Sequence, residues 1–375
     1  MKIAVITNSR IPSLTANSIQ AMKMCDALTQ LGHELRVYVP AEAQPVPWGG
    51  LSRHYGLTHP FQIEWLPSYR LLKRFDFVWY AQSAAQKFKA DLIYTWLPQS
   101  AVLGLWRHYR IILEMHADVA GHFGAWWLGQ FWKREGRKRL LVTTEALRKA
   151  LERSTRLKFP AEAVQVAPNG VDLGRYRKLP EPAEARRQLN LKEGSTVGFT
   201  GHFYSGRGMD LLFELARAMP KVNFLWAGGT PDAVAEWRIK LNSMRASNVT
   251  LTGFIENSRL PLVQAAADIL LMPYGSSISS SSGQDIAEVI NPMKMFEYMA
   301  AERAIITTDL PVIREILDET LAVFCQPGNT AAWKSAIESL LTDEKWRTLL
   351  ASRARREIEK YTWTARAQHA LNGME

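Results

Sequence analysis

KIAVITNSRIPSLTANSIQAMKMCDALTQLGHELRVYVP, residues 2–40, decides the fold class. Lys2-Ile3-Ala4-Val5-Ile6-Thr7 is a continuous apolar run rich in β-branched residues, the pattern of a strand buried on both faces. A polar loop, Asn8–Asn17, follows it. Ile19, Met22, Cys25, Leu28 and Leu31 then recur every third residue, which predicts a helix over Ser18–Leu31 that Gly32 stops. Glu34–Val39 is a second strand, closed by Pro40. Strand, helix and strand in so few residues form the unit of a parallel sheet.

The rhythm continues outward. Gln62–Leu66, Asp91–Thr95, Arg110–Met115, Arg139–Thr143 and Val164–Ala167 are further strand candidates, most of them separated by helical segments. Pro168, Asn169, Gly170, Pro180 and Pro182 then crowd together, so 168–195 reads as a linker into a second domain. Beyond it come a strand at Thr196–Thr200, a loop at Gly201–Gly208 and a helix at Asp210–Ala218. Strands follow at Val222–Ala227, Val249–Leu251, Ile269–Met272, Ile305–Thr307 and Ala322–Phe324. The expectation is an α/β chain of two Rossmann-like domains, 1–175 and 176–360, with parallel sheets facing across a cleft. The two halves share a pattern but no sequence repeat. Ligands of such sheets bind beyond the carboxyl ends of the strands.

A length of 375 residues fits two domains at about 100–200 residues each. A composition of 47% hydrophobic and 22% charged residues excludes disordered, collagen-like and disulfide-scaffold chains. The two cysteines, Cys25 and Cys325, form no Cys-x-x-Cys pair, which argues against structural zinc or dithiol chemistry. No apolar run approaches the ~18 residues of a membrane span, and the N-terminus lacks the marks of a signal peptide. A soluble cytoplasmic protein is expected. The loop Asn8–Asn17 lacks Gly-x-Gly-x-x-Gly, which demotes NAD or FAD chemistry.

Charge is uneven. Residues 1–175 hold 23 basic and 13 acidic residues, whereas 176–375 hold 23 of each. An excess confined to one half favours a phosphate-rich partner. Trp126, Trp127 and Trp132 stand beside the basic stretch Lys133–Arg139, which suits either an anionic membrane surface or a helix burying its tryptophans. Tyr69-Arg70-Leu71-Leu72-Lys73-Arg74-Phe75 is a smaller patch of the same kind. No nucleic-acid-binding motif accompanies the charge, so nucleic acid is not an expected partner.

Asn291-Pro292-Met293-Lys294-Met295-Phe296-Glu297-Tyr298-Met299-Ala300 opens a helix with Pro in its first turn and places free N–H groups at its start. This segment resembles the Ser-Pro-x-Lys-x-x-Glu-Tyr-Met-Ala donor-site segment of glycosyltransferase family 4, the retaining enzymes of GT-B type. Gly201-His202-Phe203-Tyr204-Ser205-Gly206-Arg207-Gly208 resembles the same family's diphosphate-binding loop, and Glu114-Met115-His116-Ala117-Asp118 its Glu-x-His segment. Val142–Leu147 and Ala167–Asp172 resemble its Ser-Glu-x-Leu and Pro-Asn-Gly-Val-Asp pieces. Tyr361-Thr362-Trp363 is similar to the start of its closing helix, which implies that 361–375 packs back on the first domain. The likeness spans essentially the whole chain.

The resemblance implies a nucleoside-diphosphate sugar as donor, bound by the second domain, and a glycan, lipid-linked or small-molecule acceptor bound by the first. Glu297 then takes the ribose hydroxyls, Arg207 and the helix start at Pro292 and Met293 take the diphosphate, and His116 faces the transferred sugar. Lys294 is either a diphosphate ligand or an ion-pair partner. Gly208 permits close backbone approach. His202 stands where many relatives carry Arg, and Gln20 where His is frequent. Val289 occupies the position of the first Glu of the family's Glu-x7-Glu, leaving Glu288 and Asp285 as nearby carboxylates. The serine-rich Gly275–Gly283 reads as a mobile donor-sugar loop. With no placed nucleophile, a same-face displacement follows, with domain closure excluding water. No cofactor and no metal are expected. Place and role would be cell-envelope or exopolysaccharide synthesis, peripheral at the inner face of the membrane. A sugar-nucleotide epimerase and a non-catalytic sugar-nucleotide-binding protein remain as alternatives on the same fold.

Overall fold

The computed structural model describes residues 1–42, 45–72, 74–119, 121–160, 163–243, 246–280 and 283–375. The chain forms two compact units: Met1–Gly170 with Trp363–Glu375, and Val171–Thr362. In the first, seven parallel strands run β1 (Lys2–Ile6), β2 (Glu34–Pro40), β3 (Gln62–Leu66), β4 (Leu92–Thr95), β5 (Arg110–Met115), β6 (Lys138–Val142) and β7 (Val164–Val166). Their order in the sheet is β3-β2-β1-β4-β5-β6-β7. In the second, β8 (Thr196–Thr200), β9 (Asn223–Ala227), β10 (Val249–Gly253), β11 (Ile269–Met272), β12 (Ala304–Thr308) and β13 (Val323–Cys325) are ordered β10-β9-β8-β11-β12-β13. Each unit is thus a doubly wound parallel sheet, and the strand order reverses between β1 and β4 and again between β8 and β11. The apolar runs are strands because helices cover both faces. Ile3, Ala4, Val5 and Ile6 have no exposed surface, and neither have Ile111, Ile112 and Leu113.

Two expectations are corrected. The helix predicted over Ser18–Leu31 spans Ala16–Gln30, because the Thr15 side chain caps it by accepting the Ser18 N–H. It is also buried almost all round rather than on one stripe, since the C-terminal helix Trp363–Leu371 packs on it. The second correction concerns 168–195, which is more than a linker. Pro182 starts a helix, Pro182–Gln188, whose Ala185 joins an apolar cluster with Leu225, Ala227 and Val263. Its Arg186 donates to the Ala266 carbonyl at 3.0 Å and to Asp268 at 3.1 Å. Among the described residues no helix is long and apolar enough to cross a membrane.

Candidate active site

Two loops leave the second sheet where its strand order reverses, 201–208 after β8 and 273–279 after β11. They are laced together: the Gly275 N–H donates to the Gly206 carbonyl at 2.9 Å, and the Ser279 N–H to the Ser205 carbonyl at 3.2 Å. Gly208 sits at φ +82°, and a Cβ there would lie 1.9 Å from the Pro273 carbonyl oxygen. The close approach that this glycine permits is therefore to the neighbouring backbone. Part of the serine-rich stretch expected as a mobile loop is held by this lacing. Ile278 is fully buried within it, although Ser281 and Ser282 lie outside the described residues.

This junction carries Arg207. Its guanidinium lies 5.4 Å from the centre of the Tyr274 ring and reaches the Ser279 carbonyl only at 3.5 Å. Its buried Nε has no hydrogen-bond partner. Lys294 approaches the same ring. Its Nζ is 5.4 Å from the centre of Tyr274 and 3.9 Å from that of Phe199, and it too is buried without a partner. Gly201 makes room for it, since a Cβ at that position would come within 2.8 Å of the Lys294 Nζ. Burial, and then the neighbouring Arg207 charge, push the Lys294 ammonium well below its ordinary value, with Glu297 opposing them. Two basic side chains thus share one aromatic ring, each with a buried nitrogen that has no hydrogen-bond partner.

Lys294 and Glu297 ride on the helix Met293–Ala300. Pro292 takes the cap position, one residue before the helical turn in which it was expected. Glu297 accepts from Gln264 Nε2 at 3.2 Å, and Gln264 Oε1 in turn accepts from the Tyr176 hydroxyl at 2.9 Å. Gln264 and Tyr176 were not anticipated. Nothing in their spacing links them to position 297. Tyr274 was missed as well, although Met272-Pro273-Tyr274-Gly275 is a strand end running into a turn. His202 stacks flat on Tyr204 at 4.7 Å. Asp285 fastens its own loop, accepting from the N–H groups of Ile278 at 2.9 Å and Ala287 at 3.0 Å, while Glu288 is exposed. Among the described residues no three His, Cys, Asp or Glu side chains gather as a metal site.

The first unit holds a second polar cluster, at the carboxyl ends of β4 and β5. Glu114 is fully buried and receives Gln20 Nε2 at 2.7 Å and both arms of Arg366, at 2.6 and 3.2 Å. The Tyr94 hydroxyl and His116 Nε2 complete its partners. Burial acts to push its carboxyl up, but Arg366 and His116 more than reverse that and hold it below the ordinary carboxylate range. Asp118 takes no part, since it accepts from Ser154 and from the Val119 N–H.

Residues 18–175 match the family described as Glycosyltransferase Family 4, and residues 194–343 the family described as Glycosyl transferases group 1. The chain belongs to glycosyltransferase family 4. In fold it is similar to HepE of Anabaena, solved in complex with UDP, with a TM-score of 0.76 over 100% of this chain and 99% of that one at 16% identity. It is 26% identical over 212 residues to TuaH of Bacillus subtilis, a name tied to teichuronic acid biosynthesis, covering 54% of this chain and 51% of that protein. It is 26% identical over 169 residues to the alpha-galactosylglucosyldiacylglycerol synthase of Streptococcus pneumoniae, covering 43% of this chain and 41% of that protein. The chain spans about half the length, or less, of these curated relatives. The GT-B class expected for this family 4 chain is found as its two parallel, doubly wound sheets.

The first unit of this family 4 chain also bears an apolar surface. Nine of the thirteen large apolar side chains exposed among the described residues fall between Tyr69 and Trp126, with Leu71 97% and Phe123 78% exposed. They are Tyr69, on the loop before the turn Arg70–Leu72, and residues of that turn and of the helices Phe75–Phe88, Pro98–Trp106 and Gly121–Lys133. Arg107 covers Trp79 at 4.9 Å and Arg134 covers Trp106 at 4.9 Å. The aromatic residues expected to share one role divide. Trp126 is exposed, Trp127 leans on Phe75 at 5.9 Å, and Trp132 packs on Phe159 at 4.6 Å. The basic stretch is largely engaged. Arg137 donates to the Gly373 carbonyl at 2.7 Å, Lys138 to the Trp132 carbonyl at 2.7 Å and Arg139 to the Ala370 carbonyl at 2.9 Å. Lys73 lies outside the described residues.

Proposed function

We propose that this chain is a retaining glycosyltransferase that moves a sugar from a nucleoside-diphosphate sugar to a lipid-linked or glycan acceptor of the cell envelope. One observation carries the donor half: Arg207 and Lys294 crowd one buried ring, and Arg207 Nε and Lys294 Nζ have no hydrogen-bond partner. A diphosphate supplies the missing hydrogen-bond acceptors and balances the two basic groups. Glu297, steadied by Gln264, is a carboxylate suited to accept both hydroxyls of a ribose. His202, Gly208, Pro292 and Met293 frame the same end of the second unit, which is its donor-binding domain, and Glu288 lies on the loop beside it. The UDP-bound fold relative is consistent with this. The relative named as a glycosyl diacylglycerol synthase supports a lipid acceptor bound by the first unit.

In the reaction the sugar C1–O bond to the diphosphate breaks, and a C1–O bond to the acceptor forms on the same face. The acceptor proton leaves with the departing phosphate oxygen. Arg207 and Lys294 stabilise the charge that develops there, and His116 orients the sugar. No metal is assigned a role. Arg207→Ala is expected to cut turnover by about 10²–10³-fold, the cost of removing one fixed donor at a developing anion, with the fold intact. Glu297→Ala is expected to weaken donor binding. Both are measured as transfer of labelled sugar from a panel of nucleotide sugars into a lipid extract. Unchanged rates in both variants contradict the assignment, and conversion of donor without acceptor favours an epimerase.

We propose that the exposed aromatic face of the first unit docks on an anionic bilayer, with the enzyme peripheral at the membrane. Its rings sit at headgroup depth, and cations near the surface contribute about 1 kcal/mol each. Trp79→Glu with Phe123→Glu is expected to abolish flotation with anionic vesicles. Equal recovery of the unmodified protein with neutral and anionic vesicles contradicts this docking.

A further inference from the structure

We propose that Glu114 and Arg366 are positioning residues for His116. Together they hold its imidazole as the Nε2–H tautomer and leave Nδ1 as the nitrogen that meets a substrate hydroxyl. This rests on the reading of His116 at the transferred sugar and supplies the device behind it. An ionised carboxylate only accepts hydrogen bonds, so every group facing it must bring a proton. Glu114 is kept ionised by a two-armed guanidinium contact, with Arg366 Nη2 at 2.6 Å from Oε1 and Nη1 at 3.2 Å from Oε2. Gln20 donates to Oε1 and the Tyr94 hydroxyl to Oε2. His116 Nε2 faces the same Oε1 and must therefore be the donor.

The pattern of burial says which member of the cluster acts. Glu114 and Tyr94 are fully buried, Gln20 is 2% exposed, and the Arg366 side chain is 3% exposed. The His116 side chain is 19% exposed and is the only member that reaches the surface. A buried ion pair contributes little stability relative to apolar residues of the same volume. Its consequence here is the orientation of that one open ring. Arg366 comes from the C-terminal helix, so the chain's last segment reaches back to set a ring at the end of β5. Gln20 from the helix Ala16–Gln30 and Tyr94 from β4 close the remaining sides.

The test is long-range proton–nitrogen NMR of the full chain labelled at histidine nitrogen, with the His116 signals assigned by their loss in His116→Gln. At mildly alkaline pH the unmodified protein is expected to show His116 protonated at Nε2. In Glu114→Gln the new amide can donate to the ring, so the proton is expected to move to Nδ1. The same variant is expected to lose about 10²-fold or more in kcat with the donor KM little changed. Because that variant leaves Arg366 uncompensated, Glu114→Gln/Arg366→Gln removes both charges and repeats the measurement if the single variant fails to fold. A proton on Nδ1 in the unmodified protein overturns the proposal, as does an unchanged kcat in a folded variant whose tautomer has switched. Full turnover in His116→Ala overturns the placement of His116 at the sugar, and this proposal with it.

Discussion

Lys294→Met is expected to raise the melting temperature of the nucleotide-free protein while removing its response to nucleoside diphosphate. The lysine is held below its ordinary value by burial and by Arg207. Between its folded and unfolded values the unfolded chain keeps a proton that the folded chain has released. Stability of the nucleotide-free protein therefore rises with pH through that window. Methionine fills similar volume, packs on Phe199 and Tyr274, and removes the buried unpaired amine. A gain of about 1 kcal/mol is expected, or roughly 2–4 °C for units of this size. On the proposed role of Lys294 at the departing diphosphate, the same change is expected to cut turnover by about 10²–10³-fold. Diphosphate binding to the unmodified protein should also draw a proton onto Lys294, so affinity weakens as pH rises. Calorimetry in buffers of different ionisation enthalpy reads that uptake. A destabilised Lys294→Met that still binds nucleotide contradicts the proposed anion site.

Arg366→Met is expected to have the larger effect on stability. It leaves a fully buried carboxylate facing Tyr94, Gln20 and His116 without its two-armed cation. Breaking a buried pair from one side costs about 3–5 kcal/mol, a fall on the order of 10 °C in the melting temperature of the first unit. The native pair also sets an acid limit. The Glu114 carboxyl is depressed in the folded state, so its contribution is fully present above the ordinary carboxylate value and is lost as pH falls below it. Thermal melts from neutral to acid pH should show the first unit of the unmodified protein weakening only in that acid range. A melting temperature of Arg366→Met within a degree of the unmodified protein contradicts this account of the cluster.

The architecture was readable because strands buried on both faces are written as continuous apolar runs, as in Lys2–Ile6 and Ala304–Thr308. Helix boundaries were less so. Thr15 is a cap signal that apolar periodicity does not register, and the all-round burial of Ala16–Gln30 depends on a helix more than three hundred residues later. The donor segment was legible as a motif, and Arg207, Lys294 and Glu297 do lie in one unit, the first two over the same ring. Motif order could not show that Arg207 Nε and Lys294 Nζ are buried without hydrogen-bond partners, nor that Gln264 and Tyr176 steady Glu297, because those contacts join distant positions. The basic stretch Lys133–Arg139 shows the converse. Its charge pattern pointed to a membrane surface, yet Arg137 and Arg139 spend their donors on C-terminal carbonyls, while the exposed rings of Trp79, Trp106 and Phe123 went unnoticed.

The most direct measurement is a thermal shift of the unmodified protein and of Arg207→Ala/Lys294→Met against UDP, GDP, ADP and NAD. A ligand at about a hundred times its dissociation constant stabilises by ~2.7 kcal/mol, several degrees for a domain of this size. The proposed anion site at Tyr274 predicts that at least one nucleoside diphosphate raises the melting temperature of the unmodified protein, that NAD does not, and that the double variant loses the response. A shift with NAD alone, or a nucleoside diphosphate shift that survives in the double variant, contradicts it.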